Sequence, residues 1–477
     1  METARLTQFL PADPEPRNFT RQVPGASFSW VTPTPVSAPR LLAWSDEVAQ
    51  LVGMQPTPEV IAMMAGNHVP SGVQPVATRY GGHQFGQWAG QLGDGRAILL
   101  GEQQGLEIQL KGAGPTPYSR RADGRAVLRS SLREYLCSEA MHHLGVPTTR
   151  ALALVATGDD VVRDMFYNGN AAPEPGAICT RVAPSFLRFG NYQIHAAMGE
   201  VDVLKKLVDY TLTFYPGHDL TSFFHELCGR TARLMVDWWR VGFVHGVMNT
   251  DNLSVLGLTI DYGPYGWLDV YDPEWTPNTT DAQTRRYRFS QQPNIALWNL
   301  HQLAGALSVL GLKPEAALAH YEKTFVAEWE TMLSAKLGLR SFHPALIGEL
   351  DTLMRQQEID PTLFYRLIAE DAFPEDAFYQ PLGSEARASF SSWLARWRSL
   401  GPDVELMNRT NPAVIFRNYL AQEAIDGLMQ NDPAPLERLT QALRTPYILD
   451  EASRPYFIRR PEWARDRAGC SALSCSS

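Results

Sequence analysis

From about residue 190 onward the chain reads as one amphipathic helix after another, and a single stretch breaks the pattern: HGVMNTDNLSVLGLTIDYGPYGWLD, starting at His245. Apolar residues recur at i, i+3 and i+4 in VDVLKKLVDYTLTFY, TSFFHELCGRTARLMVDWWRVG, PNIALWNLHQLAGALSVL, PEAALAHYEKTFVAEWETMLSAKLG and NPAVIFRNYLAQEAIDGLM. That is the period of a helix with one buried face, and the Trp and Phe residues within these runs read as core. The interrupting stretch has no such period. It gathers His245, Asn249, Asp251, Asn252 and Asp261 within seventeen positions, so it is a loop region that carries polar side chains at fixed spacing.

Upstream of the helices the organisation differs. Residues 1–75 are rich in proline and read as an extended arm that wraps the core, with one short helix near Asp46–Val52. From Arg79 the composition turns to glycine, with Gly81, Gly82, Gly86, Gly90, Gly93 and Gly95 in close succession. AILLGEQQGLEIQLK then reads as a β-hairpin around Gln103-Gln104-Gly105. RAVLRSSLREYLCSEAMHHLG has near-helical apolar spacing and closes on Gly145 before Pro147. ALALVATGDDVVRD predicts a second hairpin turning at Gly158-Asp159, and GAICTRVA a further strand. Residues 76–185 are therefore expected to form a small mixed sheet with one long helix. Residues 186–290 would hold the candidate catalytic and metal-binding loops, 291–465 a helical extension, and 466–477 a flexible, cysteine-containing tail.

Composition limits the function classes. The 477 residues are 44% hydrophobic and 19% charged, as in folded globular proteins, and this length predicts two to four structural units. Against 42 Lys and Arg stand 51 Asp and Glu, a net charge of −9 that argues against a nonspecific nucleic-acid binder. No apolar run approaches a membrane span, and METARLTQFLPADPEPRNF lacks the basic and apolar segments of a secretion signal, so neither membrane nor export is expected. Five cysteines without CxxC pairing suit a reducing cytoplasm.

Four features could carry chemistry. Glycines ahead of the hairpin let backbone N–H groups approach phosphate oxygens, and Arg96 directly after Gly95 adds a fixed charge, although tight turns at a sheet edge need the same residues. Lys111 ends the strand LEIQL. Glu134, or its rival Glu139, lies on the following helix, where a carboxylate can hold a strand lysine ready for a phosphate. The fourth is the interrupting segment. Kinase-type catalytic loops read H-R/G-D-x-x-x-x-N followed by D-F-G, with the Asn and the second Asp on the metal of the nucleotide. Here His245, Gly246, Asn252 and Asp261-Tyr262-Gly263 sit in register. The position of the catalytic base holds Val247, and a carboxylate stands instead at Asp251. The order of these features predicts an α+β, protein-kinase-like bilobal fold: a small mixed-sheet lobe with one long helix and a large helical lobe.

The strings YGGHQFGQWAGQLGDGRA, LKGAGPTPYSRRADGRAVLRSSLREYL, TRVAPSFLRFG, HGVMNTDN and DYGPYG, with the terminal CSS, resemble the selenoprotein O family over nearly the whole chain. The resemblance implies a pseudokinase that transfers AMP from ATP to Ser, Thr or Tyr hydroxyls of proteins, with ATP inverted relative to ordinary kinases. It implies that Gly93, Gly95, Arg96, Lys111, Asp123, Gly124, Arg181, Arg188 and Asp261 bind ATP, and that Glu134 positions Lys111. Asn252 and Asp261 would hold Mg²⁺ or Mn²⁺, and Asp251 would accept the hydroxyl proton, unless the loop aims it at the metal. Arg181 and Arg188 would contact the terminal phosphates; a pair of surface or interlobe salt bridges is the other reading of those residues.

Pyrophosphate leaving from the α-phosphorus requires extra cations near the leaving group, and the resemblance fits that need. A conventional phosphotransferase, a silent nucleotide-binding scaffold and a redox protein acting through Cys475 are the competing readings. In the family the third residue from the end is selenocysteine or cysteine, and Cys475 holds that place. In some bacterial relatives it is joined to a cysteine after the DYG motif. Residues 272–281 of this chain contain none, so redox control through Cys475 is expected to be weak.

Overall fold

The computed structural model describes residues 1–15, 24–165, 169–370, 372–470 and 473–474. Among them, a seven-stranded sheet is built from β1 (Phe28–Trp30), β2 (Arg40–Trp44), β3 (Val76–Thr78), β6 (Ala97–Gln103), β7 (Leu106–Lys111), β8 (Arg150–Arg163) and β9 (Ala172–Ala183). Its order is β1-β3-β6-β7-β9-β8-β2. Strands β4 (Gly81–Gln84) and β5 (Gln87–Gln91) pair only with each other, as do β10 (Phe243–Val244) and β11 (Gly266–Trp267). Every pairing between these strands is antiparallel, which corrects the expectation of a mixed sheet. The helix Leu128–His143 carries the chain from β7 to β8, which run parallel to each other but are kept apart by β9, antiparallel to both.

The β6–β7 hairpin turns on Gln104-Gly105, both at positive φ (53° and 75°), the two-residue geometry whose twist matches the strands. The turn expected at Gly158-Asp159 is absent. Strand β8 continues through it with a bulge, pairing Ala156 with Ala177 and Asp160 with Pro175. Gly158 sits at φ 79°, and a Cβ there would lie 2.6 Å from that of Ala38, so the glycine serves a bulge packed against the arm.

Both faces of the sheet are buried, and alternation along the strands assigns each residue to its side. Ile98, Leu100, Ile178 and Val182 pack with Val48, Val52, Met63 and Met64, whereas Leu99, Ala177 and Cys179 join Leu132, Leu136 and Ala140. In the arm, α1 (Leu6–Phe9) and β1 lie with the second group through Leu6 and Phe28, while α2 (Asp46–Val52) and α3 (Pro58–Met64) supply the cover of the first. The second is covered by α4 (Leu128–His143). The proline-rich arm thus supplies both edge strands and one cover of the sheet.

After the sheet, helices dominate. Helices α5 (Phe189–Ala197), α6 (Val201–Leu212), α7 (Leu220–Val241), α8 (Gln292–Ser308) and α9 (Glu315–Lys336) surround the loops of the interrupting segment. Helices α10 (Pro344–Arg355), α11 (Pro361–Leu367), α12 (Ser384–Ser399) and α13 (Val404–Thr410) enclose a separate core around Trp393 and Trp397. Helices α14 (Asn418–Met429) and α15 (Ala434–Arg444) return to pack on α4. NPAVIFRNYLAQEAIDGLM is helical only from Asn418, because Arg417 is extended and drawn into ion pairs with Asp269 and Asp360. No helix among the described residues is long and apolar enough to cross a membrane.

Within 466–477, the segment expected as a tail, the described residues make contact with the rest of the chain. Cys470 and Leu473 are buried, and Leu473 pairs with Asn278 through backbone hydrogen bonds to Pro277 and Thr279. Leu473 therefore lies on the segment after the DYG motif, which contains no cysteine. Cys475 falls outside the described residues.

Candidate active site

Strand β7 ends at Lys111, and α4 crosses behind it with Glu134 one turn and a half from its start. The Lys111 Nζ is 2.8 Å from Glu134 Oε2 and 3.0 Å from Asp261 Oδ1. Arg181, on the neighbouring β9, places its guanidinium 2.9 Å from Glu134 Oε1 and 3.5 Å from Asp261 Oδ1. Arg188 precedes α5 and lies 3.0 Å from Asp261 Oδ2. Three cations from three elements thus converge on one carboxylate. Glu139 takes no part: it accepts from Ser45, Arg150 and the Ala151 N–H on the far side of α4.

Arg181 and Arg188 are 1% and 3% exposed, so neither is a surface ion pair. Burial works against the charge of Asp261, but Lys111, Arg188 and Arg181 override it and hold the carboxyl well below its usual range. The Asp261 backbone sits at φ 62°, in the left-handed region that Asp tolerates better than most residues. That turn aims its carboxylate at the cations.

These groups line a cleft of about 500 Å³. Gly93, Gly95, Arg96, Lys111, Asp123, Gly124, Arg181, Arg188 and Asp261 all contribute to its wall. Six cationic and three anionic side chains line it, in a protein whose net charge is −9. Gly93 and Gly95 have no room for side chains: a Cβ would meet the Tyr118 ring at 2.4 Å and the Tyr118 carbonyl at 3.1 Å. Asp123 pairs with Arg163 at 2.6 Å, and Gly124, at φ 66°, lies against the Gly114 backbone. Sequence reasoning missed Tyr80, Tyr118, Arg125 and Arg163 in this wall. Arg163 comes from the far end of a strand that reads as ending at a turn, so no local signal marked it.

Asp251 and Asn252 do not line the cleft; they lie beside it, tied to it by Arg188, which donates to the Asp251 carbonyl at 2.9 Å. The loop is held by structural bonds. His245 Nε2 meets the Ile260 carbonyl at 3.0 Å, its Nδ1 accepts from the Val247 N–H, and burial keeps the ring below its ordinary pKa. Asn249 accepts from Tyr287 and Phe85, and Thr250 from the His83 N–H. Asn252 donates to the Val247 carbonyl at 3.0 Å.

Asp251 is 5% exposed, enclosed by the β4–β5 hairpin and α5. A Cβ on Gly82 would stand 2.5 Å from its Oδ1, and one on Gly190 would strike the Gly81 carbonyl at 2.1 Å. The first glycines of the cluster therefore pack over this carboxylate, while Gly93 and Gly95 face the cleft. Gln84 donates to Oδ2 at 3.2 Å, and Oδ1 is buried without a hydrogen-bond partner among the described residues. Burial pushes the carboxyl up to about 6, the Gln84 bond and Arg188 opposing it.

A buried cationic cleft beside a buried, proton-hungry carboxylate has the chemistry of a polyphosphate site with a neighbouring proton acceptor. Comparison with known proteins agrees in kind. The family model described as "Protein adenylyltransferase SelO" matches residues 18–444. A protein named "Protein nucleotidyltransferase YdiU" from Azoarcus sp. (strain BH72) is 54% identical over 99% of this chain and 98% of its own length. Proteins of the same name from Xanthomonas campestris pv. campestris (strain B100) and Nitrosospira multiformis are 51% and 48% identical, over 98% and 96% of their lengths. With the family model matching most of its length and relatives aligned end to end, this chain belongs to the protein adenylyltransferase SelO family.

Proposed function

We propose that the chain is a protein adenylyltransferase of kinase-like, bilobal build, acting in a reducing, cytoplasmic setting. It moves AMP from ATP to a Ser, Thr or Tyr hydroxyl of another protein and releases pyrophosphate. The observation that carries this reading is the convergence of Lys111, Arg181 and Arg188 on Asp261 within a net-positive cleft. Six cationic side chains against three anionic ones along the wall leave a positive surplus even with Glu134 counted, and a triphosphate offsets it. Three cations at one end of the cleft also suit a leaving pyrophosphate better than a single transferred phosphoryl group.

Attack of the acceptor oxygen on the α-phosphorus forms one P–O bond and breaks the bond to the β-phosphate oxygen. Arg181 and Arg188 neutralise the charge on the departing pyrophosphate, with Lys111 held in place by Glu134. The hydroxyl proton goes to Asp251, whose burial makes it a stronger base than an ordinary aspartate. Its Oδ1, with no hydrogen-bond partner among the described residues, has both lone pairs free to take a proton.

Asp261 and Asn252 offer the hard oxygen donors that Mg²⁺ or Mn²⁺ prefer. The Asn252 Nδ2 is committed to Val247, which leaves Oδ1 as its ligating atom. When bound, such an ion supplies charge neutralisation on the phosphates. ATP carrying label at the α- or the γ-phosphate tests the reading with any protein acceptor, the chain itself included. Label from the α-position alone is expected on the acceptor, and abolished by Asp261→Ala. Label from the γ-position alone would refute adenylyl transfer.

A further inference from the structure

An open groove of about 620 Å³ lies between the β4–β5 turn and the segment that leads into α8. Its wall includes Phe85, Thr280, Thr284, Arg286, Arg288 and Ile295, and no acidic side chain among the described residues lines it. The two arginines differ in what they hold. Arg288 is committed, its Nε 2.8 Å from Glu274 Oε2. Arg286 has no carboxylate within ion-pair distance among the described residues, and its Nε and Nη2 are buried without a hydrogen-bond partner there.

Arg286 is nevertheless fixed in place. Its guanidinium stacks on Trp298, 4.7 Å from the ring centre, and a Cβ on Gly86 would lie 3.2 Å from its Cζ. Trp298 in turn meets the His83 ring edge-on at 5.4 Å. An aromatic face holds a guanidinium without neutralising it. The side chain is only half-buried, so a rigid, uncompensated cation opens on the groove.

Strand β4 ties this groove to the proton acceptor. The His83 N–H donates to Thr250 Oγ1 at 2.7 Å, and Gln84 donates to Asp251 Oδ2 at 3.2 Å. Phe85, at the groove wall, donates its N–H to the Tyr287 hydroxyl at 2.9 Å, and Tyr287 donates to Asn249 at 2.6 Å. Asp251 and Arg286 thus flank one hydrogen-bonded wall, the first met by Gln84 and the second lying under Gly86.

We infer that the groove takes a carboxylate side chain of the acceptor protein, so that the chain modifies hydroxyls with an Asp or Glu close by in sequence. The inference rests on the adenylyl transfer proposed above. The carboxylate pairs with Arg286, its methylenes lie against Phe85 and Ile295, and the neighbouring hydroxyl is presented to Asp251. At about 3.3–3.6 Å per extended residue, an acidic residue about two to four positions from the hydroxyl spans the step from Gln84 to the groove. A lysine or arginine there would face Arg286 and be rejected, so the groove selects as well as anchors.

Peptide libraries with one central Ser, Thr or Tyr and one fixed flanking residue, incubated with the full chain, Mg²⁺ or Mn²⁺ and ATP labelled at the α-phosphate, test this. At one or more positions within about four of the hydroxyl, Asp is expected to give about tenfold more label than Lys. Arg286→Glu should invert that ratio, with ATP affinity by titration calorimetry within about twofold of the wild type. Arg286→Gln, expected to abolish the preference, serves if Arg286→Glu does not fold. Label on the chain itself but on no peptide, equal labelling of Asp and Lys peptides, or a preference that survives both substitutions would each overturn the acidic groove and leave adenylyl transfer standing. No α-label on any acceptor would refute the transfer, and the groove's role with it.

Discussion

Two glutamates a turn and a half apart on α4 look alike in sequence and differ in what they hold. Glu134 faces the sheet and binds Lys111 and Arg181, and Glu139 faces Arg150 and Ser45. Glu134→Gln should lower adenylyl transfer on the order of 100-fold by releasing the lysine, since small displacements at a reacting centre are costly. Glu139→Gln should leave the rate unchanged and cost about 1–3 kcal/mol in denaturant unfolding, because the partly buried Arg150 loses its main partner. Equal losses of activity in the two variants would contradict this division. Gly82 offers a sharper test, since the methyl of Gly82→Ala would press on Asp251 at 2.5 Å. Transfer should drop at least about tenfold while nucleotide binding, measured by titration calorimetry, stays within a factor of two or three. Lys111, Asp261 and Glu134 were legible from their spacing. That Arg181 and Arg188 face the cleft, and that Asp251 lies beside it under a hairpin, depends on neighbours 60 to 170 residues away.

Among the elements, local chemistry was readable where a turn is made by its own residues. Gln104-Gly105 and the Asp46–Val52 helix, capped by Ser45 and closed by Gly53 at φ 64°, follow directly from such signals. Gly158-Asp159 carries the same turn signal and makes a bulge, because β8 gains partners on both sides from β2 and β9. The tail shows the same dependence. Leu473 is fully buried and pairs with Asn278, whose side chain donates to the Gly246 carbonyl in the loop that begins at His245. Leu473→Asp should therefore release the tail and raise hydrogen exchange at residues 277–279, with a loss of about 2–4 kcal/mol in unfolding free energy. Protection unchanged at those amides would show that the segment is held without the tail. The thiol of Cys470, pushed up to about 11 chiefly by burial, makes a poor nucleophile.

At the scale of the molecule, the sheet is closed on both faces, and the cost of burying polar side chains there is visible at Glu107. It accepts from the Phe186 N–H, Ser185 and Tyr210, yet burial dominates and pushes its carboxyl up to about 8. A carboxyl that holds its proton more tightly when folded contributes stability below the ordinary carboxylate range and loses it as pH rises towards that value. Stability of the wild type should therefore decline between pH 5 and pH 8, by at most about 1.4 kcal/mol per pH unit from this group. Glu107→Gln should flatten that slope in urea titrations at pH 5, 6.5 and 8; an unchanged slope would assign the decline elsewhere. The sequence by itself determined the helical and sheet segments, the loop that interrupts them, and the residues fit for phosphate chemistry, because periodicity and side-chain chemistry are local properties. Only the tertiary structure decided that the proline-rich arm becomes two edge strands and a sheet cover, that three cations meet at Asp261, and that Asp251 is enclosed by glycines. Those outcomes depend on which surfaces must be buried together, and burial is set by elements far apart in the chain.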